Sequence, residues 1–327
     1  MTQKIGLIYG GKSPEHEVSI MSAKGILDNY DQDKFVIESI FIAKDGRFHP
    51  DETMSANYDF HSRSAEIDIY FPILHGAGGE DGEIQGLIRS VSKPFVGSDI
   101  LGSAICLDKG VAKQLFAHNH IPQTEFVLLD FDRDNQAALN LKLTFVKEQF
   151  VFPVFVKAAN LGSSVGVYKV STPDRLAEKC YNAKEFCSRV VIEQGVTGGR
   201  EIEVSVLSNT VTDIRCSLPG EIKAGAEFYD YDDKYKNNAA ELIVPAELRP
   251  EQLKELDDLA KQVYLLATCR GFARVDFFIT ADGQILVNEI NTIPGFTPIS
   301  MYPKLWAASG LSYRDLISHL IHLGLNK

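Results

Sequence analysis

The sequence predicts an α/β fold that turns to α+β in its C-terminal part, built as three units, and three observations predict it. The opening ninety-odd residues alternate apolar, strand-like runs with amphipathic stretches, a βαβ rhythm that implies a mostly parallel sheet covered by helices. The middle third sets a helix between two strands and continues with a strand–turn–strand. Near the C-terminus Asp282-Gly283, flanked by alternating residues, marks an antiparallel hairpin. The predicted units are residues 1–97, 98–189 and 190–327.

In the first unit Ile5–Tyr9, Phe35–Ile42 and Ile67–Leu74 read as strands, with helices near 14–28 and 81–91. Ligands of such sheets gather at the carboxyl ends of the strands, here Gly10-Gly11 and His75-Gly76. Ser13-Pro14-Glu15-His16-Glu17 is a strong helix start, with a capping serine, a proline suited to the first turn and carboxylates at the positive dipole end. Capping alone explains Glu15; the functional alternative is that Glu15 holds an ammonium group. His75-Gly-Ala-Gly-Gly-Glu80-Asp81-Gly82 is denser in glycine than a turn requires, which favours a substrate loop, although Glu80 and Asp81 also suit a helix cap.

The second unit opens with a helix over 103–118, followed by strands near 123–129 and 152–158 with a helix between them. Val154–Val170 is a strand–turn–strand holding Leu161-Gly-Ser-Ser-Val-Gly166, whose N–H groups and hydroxyls can wrap an anion. It is not a P-loop, because GxxxxGK[ST] is absent. Lys157 and Lys109 are candidate counter-charges. A helix near 173–189 leads to the strand Val190–Glu193. Strands over 200–208 and 210–218, a long loop over 220–241, a helix over 251–269, the hairpin and a closing helix over 313–323 complete the chain. The loop carries Phe228, Tyr229, Tyr231, Lys234 and Tyr235, and that aromatic density points to a lid that excludes water.

The hairpin is the most informative element. With Asp282-Gly283 as a two-residue loop, Asp276 lies opposite Glu289 and Arg274 opposite Asn291, all on one face. The other face then pairs Val275, Phe277 and Ile279 with Ile290, Asn288 and Leu286. Like charges directly opposed destabilise a sheet. Two carboxylates and an amide so placed make sense with hard cations between them.

Composition bounds the function. Lys and Arg total 33 against 44 Asp and Glu, a net charge of −11 that argues against nonspecific binding to nucleic acid or anionic membrane. The longest apolar run, Phe150 to Val156, is far too short to span a bilayer. Met1-Thr-Gln-Lys leads straight into the first strand, which leaves no room for a signal peptide. Five cysteines without CxxC pairs fit reduced thiols in the cytoplasm. No GxGxxG follows the first strand, against a dinucleotide-dependent oxidoreductase.

Five motifs occur together and in order: Gly10-Gly-x-Ser13-x-Glu15-x-Glu17-Val-Ser, His75-Gly-x-x-Gly-Glu-Asp-Gly, Leu161-Gly-Ser-Ser-Val-Gly, Glu227-Phe-Tyr-Asp-Tyr-x-x-Lys-Tyr235 and Arg274-Val-Asp276…Glu289-x-Asn-Thr-x-Pro-Gly295. Over essentially its whole length the chain resembles the D-alanine–D-alanine ligases of the ATP-grasp superfamily. The resemblance implies an ATP-grasp fold of three subdomains, with ATP between the central and C-terminal ones. Lys109 and Lys157 would meet the phosphates with Ser163 and Lys234, Glu193 and Val196 the adenine edge beside Phe278, and Glu201 the ribose. The Glu193–Glu201 spacing is one residue longer than the family pattern because of Gly198-Gly199. Two magnesium (or manganese) ions would lie on Asp276, Glu289 and Asn291, with Glu289 bridging.

The family reaction phosphorylates the carboxylate of one D-alanine and lets the amine of a second attack the acyl phosphate, giving D-alanyl-D-alanine for peptidoglycan. By carry-over, Glu15 anchors the first ammonium, His75 lies beside that carboxylate, and Ser300 and Arg274 receive the carboxylate of the second. Arg274 and the Gly295 N–H would stabilise the oxyanion. Tyr235 and Ser163 would link the closed lid to Glu15, and Tyr235 favours the dipeptide over D-alanyl–D-lactate. A cytoplasmic homodimer without nucleic-acid or membrane partners is what the family implies. A ligase with a D-lactate or D-serine acceptor and a silent ATP-binding sensor are the competing readings.

Overall fold

Three sheets, each with its own helices, carry the chain in a computed structural model that describes residues 2–223 and 241–326. The first contains β1 (Gln3–Gly10), β2 (Phe35–Ile42), β3 (Phe48–His49) and β4 (Ile69–Pro72) in the order β3-β2-β1-β4. β1 runs parallel to β2 and β4, and β3 pairs antiparallel with β2. Its helices are α1 (His16–Asn29), the single turn α2 (Phe60–Arg63) and α3 (Glu83–Ser90). Both faces are covered, as strands of a parallel sheet require. Leu7 and Phe71 point into one core, Ile8 and Tyr70 into the other beneath Ile84 and Ile88 of α3.

The helix expected over 103–118 is two helices, α4 (Ile100–Leu107) and α5 (Lys109–His118). Asp108 separates them: its backbone is extended, and its carboxylate accepts the Val111 N–H at 3.0 Å, capping α5. The second sheet follows, with β5 (Phe126–Asp130), α6 (Gln136–Gln149), β6 (Val154–Ala158), β7 (Val167–Val170), α7 (Leu176–Lys184) and β8 (Arg189–Gln194), in the antiparallel order β5-β8-β6-β7. Val154, Val156, Val190 and Ile192 bury one face against Leu143, Val146 and Leu176 of α6 and α7. β8, which a boundary at residue 190 assigns to the third unit, is therefore an inner strand of the second sheet.

The third sheet is antiparallel: β9 (Arg200–Ser208), β10 (Arg215–Cys216), β11 (Gly220–Lys223), β12 (Glu241–Ile243), β13 (Gly271–Ile279) and β14 (Ile285–Asn291), in the order β12-β11-β9-β13-β14 with β10 beside β9. The strand expected over 210–218 shrinks to two residues, because the Ser208 hydroxyl bonds the backbone of Thr210 and turns the chain. The ends of the expected 220–241 loop are also strand, since Glu221 pairs with Ile243; residues 224–240 lie outside the described residues. α8 (Pro250–Leu266) buries Leu256, Ala260 and Val263 against Ile202, Val204 and Val275. Two helices close the chain: α9 (Met301–Ala308), which the sequence pattern did not reveal, and α10 (Tyr313–Leu325). α10 returns to the first sheet, where Leu316, Ile317, Leu320 and Ile321 join its core.

The hairpin register differs from expectation in two places, and the two differences cancel. The turn takes three residues rather than two: Thr280 N–H donates to the Gln284 carbonyl at 2.9 Å, and Gly283 adopts the left-handed conformation (φ +91°). This slips the pairing by one, so that Phe277 faces Val287 and Ile279 faces Ile285 instead of Asn288 and Leu286. A bulge between Asp276 and Phe277 then absorbs Asn288 as an extra residue, and Asp276 meets Glu289 and Arg274 meets Asn291 as expected.

Candidate active site

The loops after β1 and β4 lie side by side because their strands are parallel neighbours, and hydroxyls tie them to α1. Ser19 Oγ accepts the Gly10 N–H at 2.8 Å and donates to the Ile73 carbonyl at 2.6 Å. Ser13 does not cap α1. Its hydroxyl donates to the His75 carbonyl at 2.6 Å and accepts the Glu15 N–H at 3.2 Å, and α1 starts at His16 without a side-chain cap. Glu15 thereby faces the cavity between two glycines. A Cβ at Gly76 (φ +73°) would lie 2.4 Å from Glu15 Oε2, and one at Gly162 would lie 3.3 Å from the same oxygen. Ser163, from the β6–β7 turn, donates a short hydrogen bond to Glu15 Oε1.

His75 is buried with both ring nitrogens engaged. Nδ1 is 3.0 Å from the Ile293 carbonyl and Nε2 is 3.0 Å from Ser22 Oγ, which in turn accepts the Phe296 N–H. The network assigns the proton to Nδ1. Burial pushes the imidazole pKa down, so the ring is neutral and braces the 293–296 segment that carries Gly295. Glu80 folds inward and accepts the Gly76 N–H at 2.9 Å, while Asp81 takes the N–H groups of Gly78 and Glu83. Burial, reinforced by the charge of Glu15, pushes the Glu80 carboxyl up to about 8. Neither residue is a conventional cap, and α3 starts after Gly82.

The third sheet supplies the opposite wall. Cross-strand pairing sets Glu203 of β9 beside Asp276 of β13, and Asp276 beside Glu289 of β14, a row of three carboxylates over adjacent strands. Glu203 escaped the sequence reading. The alternation Glu201-Ile202-Glu203-Val204, with Ile202 and Val204 in the core, was the signal that could have found it. Arg274 answers this charge: it grips Asp276 through two hydrogen bonds of 2.6 and 2.7 Å and lies 3.2 Å from Glu203. Burial opposes the guanidinium charge, but Asp276 and Glu203 outweigh it. Lys109, at the start of α5, reaches 3.3 Å from Glu289 and donates to the Leu161 carbonyl at 2.9 Å, so Glu289 holds it charged despite burial. Asp276, Glu289 and Asn291 are hard oxygen donors on neighbouring strands, a set that suits magnesium. The donor set is two carboxylates and an amide; among the described residues no three His, Cys, Asp or Glu side chains are placed to hold a metal ion by themselves.

Two adjoining cavities share this wall. The larger, about 500 Å³, is bounded by Glu15, His75, Glu80, Arg274, Gly295 and Ser300 among others. The smaller, about 200 Å³, brings together Lys157, Glu193, Val196, Glu201, Asp276 and Phe278. Lys109, Ser163, Glu203 and Glu289 line both. Thus every site residue expected from the sequence borders one cavity or the other, except Lys234 and Tyr235, which lie outside the described residues. Ser163 and Ser164 hold left-handed backbones (φ +50° and +59°), uncommon for non-glycine residues and concentrated where a site over-determines them. Asn288, the bulge residue, also borders the smaller cavity, and its buried Oδ1 has no hydrogen-bond partner among the described residues.

Glu193 rests on a support that the sequence hid. Lys113 of α5, only 1% exposed, lies 3.4 Å from Glu193 Oε2 and donates to Thr124 Oγ1 at 3.1 Å; Thr124 donates in turn to Glu193. Lys157 lies 3.1 Å from Glu193 Oε1. Burial raises the Glu193 pKa, and the two lysines more than reverse it, so the carboxylate is ionised.

This geometry can be set against known proteins. A family model described as the D-ala D-ala ligase C-terminus matches residues 115–322, and its N-terminal counterpart matches 4–63 and 51–98. The chain belongs to the D-alanine–D-alanine ligase family. It is 42% identical to D-alanine–D-alanine ligase A of Salmonella typhimurium over 356 aligned positions, which cover 99% of this chain and 96% of the relative. Among solved structures it resembles the D-alanine–D-alanine ligase of Coxiella burnetii (33% identity, TM-score 0.83, 99% and 94% coverage). It also resembles the VanG D-Ala:D-Ser ligase of Enterococcus faecalis (31% identity, TM-score 0.86, 99% of both chains). The fold of this family is ATP-grasp, and its members are ligases.

Proposed function

We propose that this chain joins two D-alanine molecules to D-alanyl-D-alanine with hydrolysis of ATP to ADP and phosphate, supplying peptidoglycan precursors. The observation that carries this reading is the shared wall: a cleft lined by Lys157, Glu193 and Glu201 adjoins, across Lys109, Ser163 and Glu289, a second cavity lined by Glu15, Arg274 and Ser300. Lys109 and Lys157 meet the phosphates, Glu193, Val196 and Phe278 the base, and Glu201 the ribose. By the family motif, Lys234 is assigned to the phosphates and Tyr235 to the specificity for an amine acceptor. Glu15 takes the first ammonium. His75 acts through the segment it braces, since its ring nitrogens already have partners.

The chemistry follows from charge. A carboxylate oxygen is a poor leaving group, so the first carboxylate attacks the γ-phosphorus and becomes an acyl phosphate. The second amine then adds to that carbonyl and phosphate departs. Asp276, Glu289 and Asn291 would hold two magnesium or manganese ions, which would supply neutralisation of the phosphates. Arg274 and the Gly295 N–H stabilise the oxyanion formed as the amine adds. Ser300 and Arg274 receive the second carboxylate. We assign the reaction to the cytoplasm, where ATP is available, and a homodimer to the assembly; sedimentation equilibrium at micromolar concentration checks the latter.

The test is phosphate release from Mg-ATP with D-alanine or L-alanine, with products identified by mass. D-alanyl-D-alanine from the D-isomer alone supports the reading. ATP bound but never consumed would sink it and leave only a nucleotide-binding protein. D-serine in competition with D-alanine tests the acceptor, because a D-Ala:D-Ser ligase is among the similar structures.

A further inference from the structure

The larger cavity poses an electrostatic problem that its assigned residues leave unsolved. Its walls carry the carboxylates of Glu15, Glu203 and Glu289 besides the protonated Glu80. An acceptor amino acid must bring another carboxylate into this space, where like charges repel. Of the cationic side chains lining the cavity, Arg274 already grips Asp276 through two hydrogen bonds and touches Glu203, and Lys109 is held by Glu289 and the Leu161 carbonyl. Lys304 is different. It lines the same cavity, is half-buried, and its ammonium has no ion-pair or hydrogen-bond partner among the described residues.

Its position follows from α9. Ser300 precedes that helix as its N-cap residue, and Lys304 lies four positions on, so the two stand one above the other on one face. Met301, Tyr302 and Leu305 anchor the helix in the core and fix the orientation of that face. The Ser300 hydroxyl is held by Thr297, accepting its N–H at 3.1 Å and lying 2.7 Å from its Oγ1. The serine thus has a fixed place, while the ammonium of the lysine above it is uncommitted among the described residues.

We propose that Lys304 binds the carboxylate of the second, acceptor amino acid and gives acceptors that carry one their advantage over those that do not. The inference rests on the ligase reading given above and deepens it. Lys304 supplies the positive charge that Arg274 cannot give in full while it answers Asp276 and Glu203. It acts as a binding and specificity residue: it touches the acceptor away from the reacting nitrogen and takes no part in phosphoryl transfer. It selects for an α-carboxylate and is indifferent to the side chain, so D-alanine and D-serine satisfy it equally and an amide does not.

The experiment uses the full chain with Lys304→Met, which keeps length and loses charge, and Lys304→Arg. Formation of the acyl phosphate is read separately by trapping with hydroxylamine. In Lys304→Met the KM for D-alanine as acceptor should rise roughly 10- to 100-fold, the loss expected for one charge-assisted hydrogen bond. kcat at saturation should hold within about twofold, as for a contact equally strong in ground and transition states. Hydroxamate formation should keep its rate, and Lys304→Arg should recover most of the acceptor affinity. D-Alaninamide should be used alike by the parent and Lys304→Met. An unchanged acceptor KM overturns the proposal, as does an equal loss with D-alaninamide, since a structural defect ignores the acceptor's charge. If the parent forms no hydroxamate, the acyl-phosphate reading falls, and Lys304 falls with it. Hydroxamate with an unmoved acceptor KM removes Lys304 alone.

Discussion

Glu80→Gln should uncouple stability from pH, and the size of the effect can be worked from the burial of one carboxyl. In the nucleotide-free protein Glu80 is held protonated up to about pH 8, against an ordinary value of 4.5, first by burial and then by Glu15. A raised folded pKa contributes stability that is complete below the unfolded value and is lost as pH rises through the folded one. Between about 4.5 and 8 the folded chain therefore holds one more proton than the unfolded chain. Each pH unit in that window removes about 1.4 kcal/mol. With an unfolding entropy of about 2.1 cal/mol/K per residue, a chain of 327 residues should lose about 2 °C in Tm per unit. Glutamine keeps the oxygen that accepts the Gly76 N–H and cannot ionise. Thermal scans at pH 5.5, 6.5, 7.5 and 8.5 should thus show Glu80→Gln gaining steadily on the parent. Difference infrared spectra at pH 7 should show a protonated-carboxyl band that the variant lacks. A constant Tm difference across the series, with no such band, would refute the reasoning and mean that Glu80 is ionised at neutral pH.

Two further substitutions probe the walls. Asp276→Asn or Glu289→Gln should reduce phosphate release by on the order of 10³-fold, since metal-assisted charge stabilisation is worth several kcal/mol, with the circular-dichroism melt little changed; near-normal turnover in either would remove the metal assignment. Lys113→Met should cost about 3–5 kcal/mol of stability, because Glu193 and Thr124 lose a buried partner, and equilibrium denaturation should show the loss even without nucleotide.

The motifs were legible where local chemistry dictates geometry. Glycine density around His75 and Gly162 foretold a close approach, and the structure shows what approaches: the Glu15 carboxylate between Gly76 and Gly162. The hairpin was legible for a less direct reason. The pairing of Asp276 with Glu289 held only because a three-residue turn and a bulge at Asn288 displace the strands by one residue in opposite senses. Neither displacement has a local signature in the sequence, since Asp282-Gly283 serves two-residue and three-residue turns alike. Tertiary contacts hid the rest. Lys113 reads as a solvated helix position until β8 brings Glu193 to it. Glu80 looks like a helix cap until its loop folds inward, and α10 gives no sign that its apolar stripe belongs to the first sheet rather than the third. Glu203 was the one avoidable omission, because its alternation with buried Ile202 and Val204 was in plain view.

The central claim is that a substrate carboxylate is phosphorylated within the space shared by the two cavities. Turnover with D-alanine labelled with oxygen-18 in its carboxylate tests it most directly, with the phosphate released in ordinary water analysed by mass. One labelled oxygen in each phosphate, alongside ADP and D-alanyl-D-alanine, is the predicted result. Unlabelled phosphate, or label recovered in AMP, would contradict it.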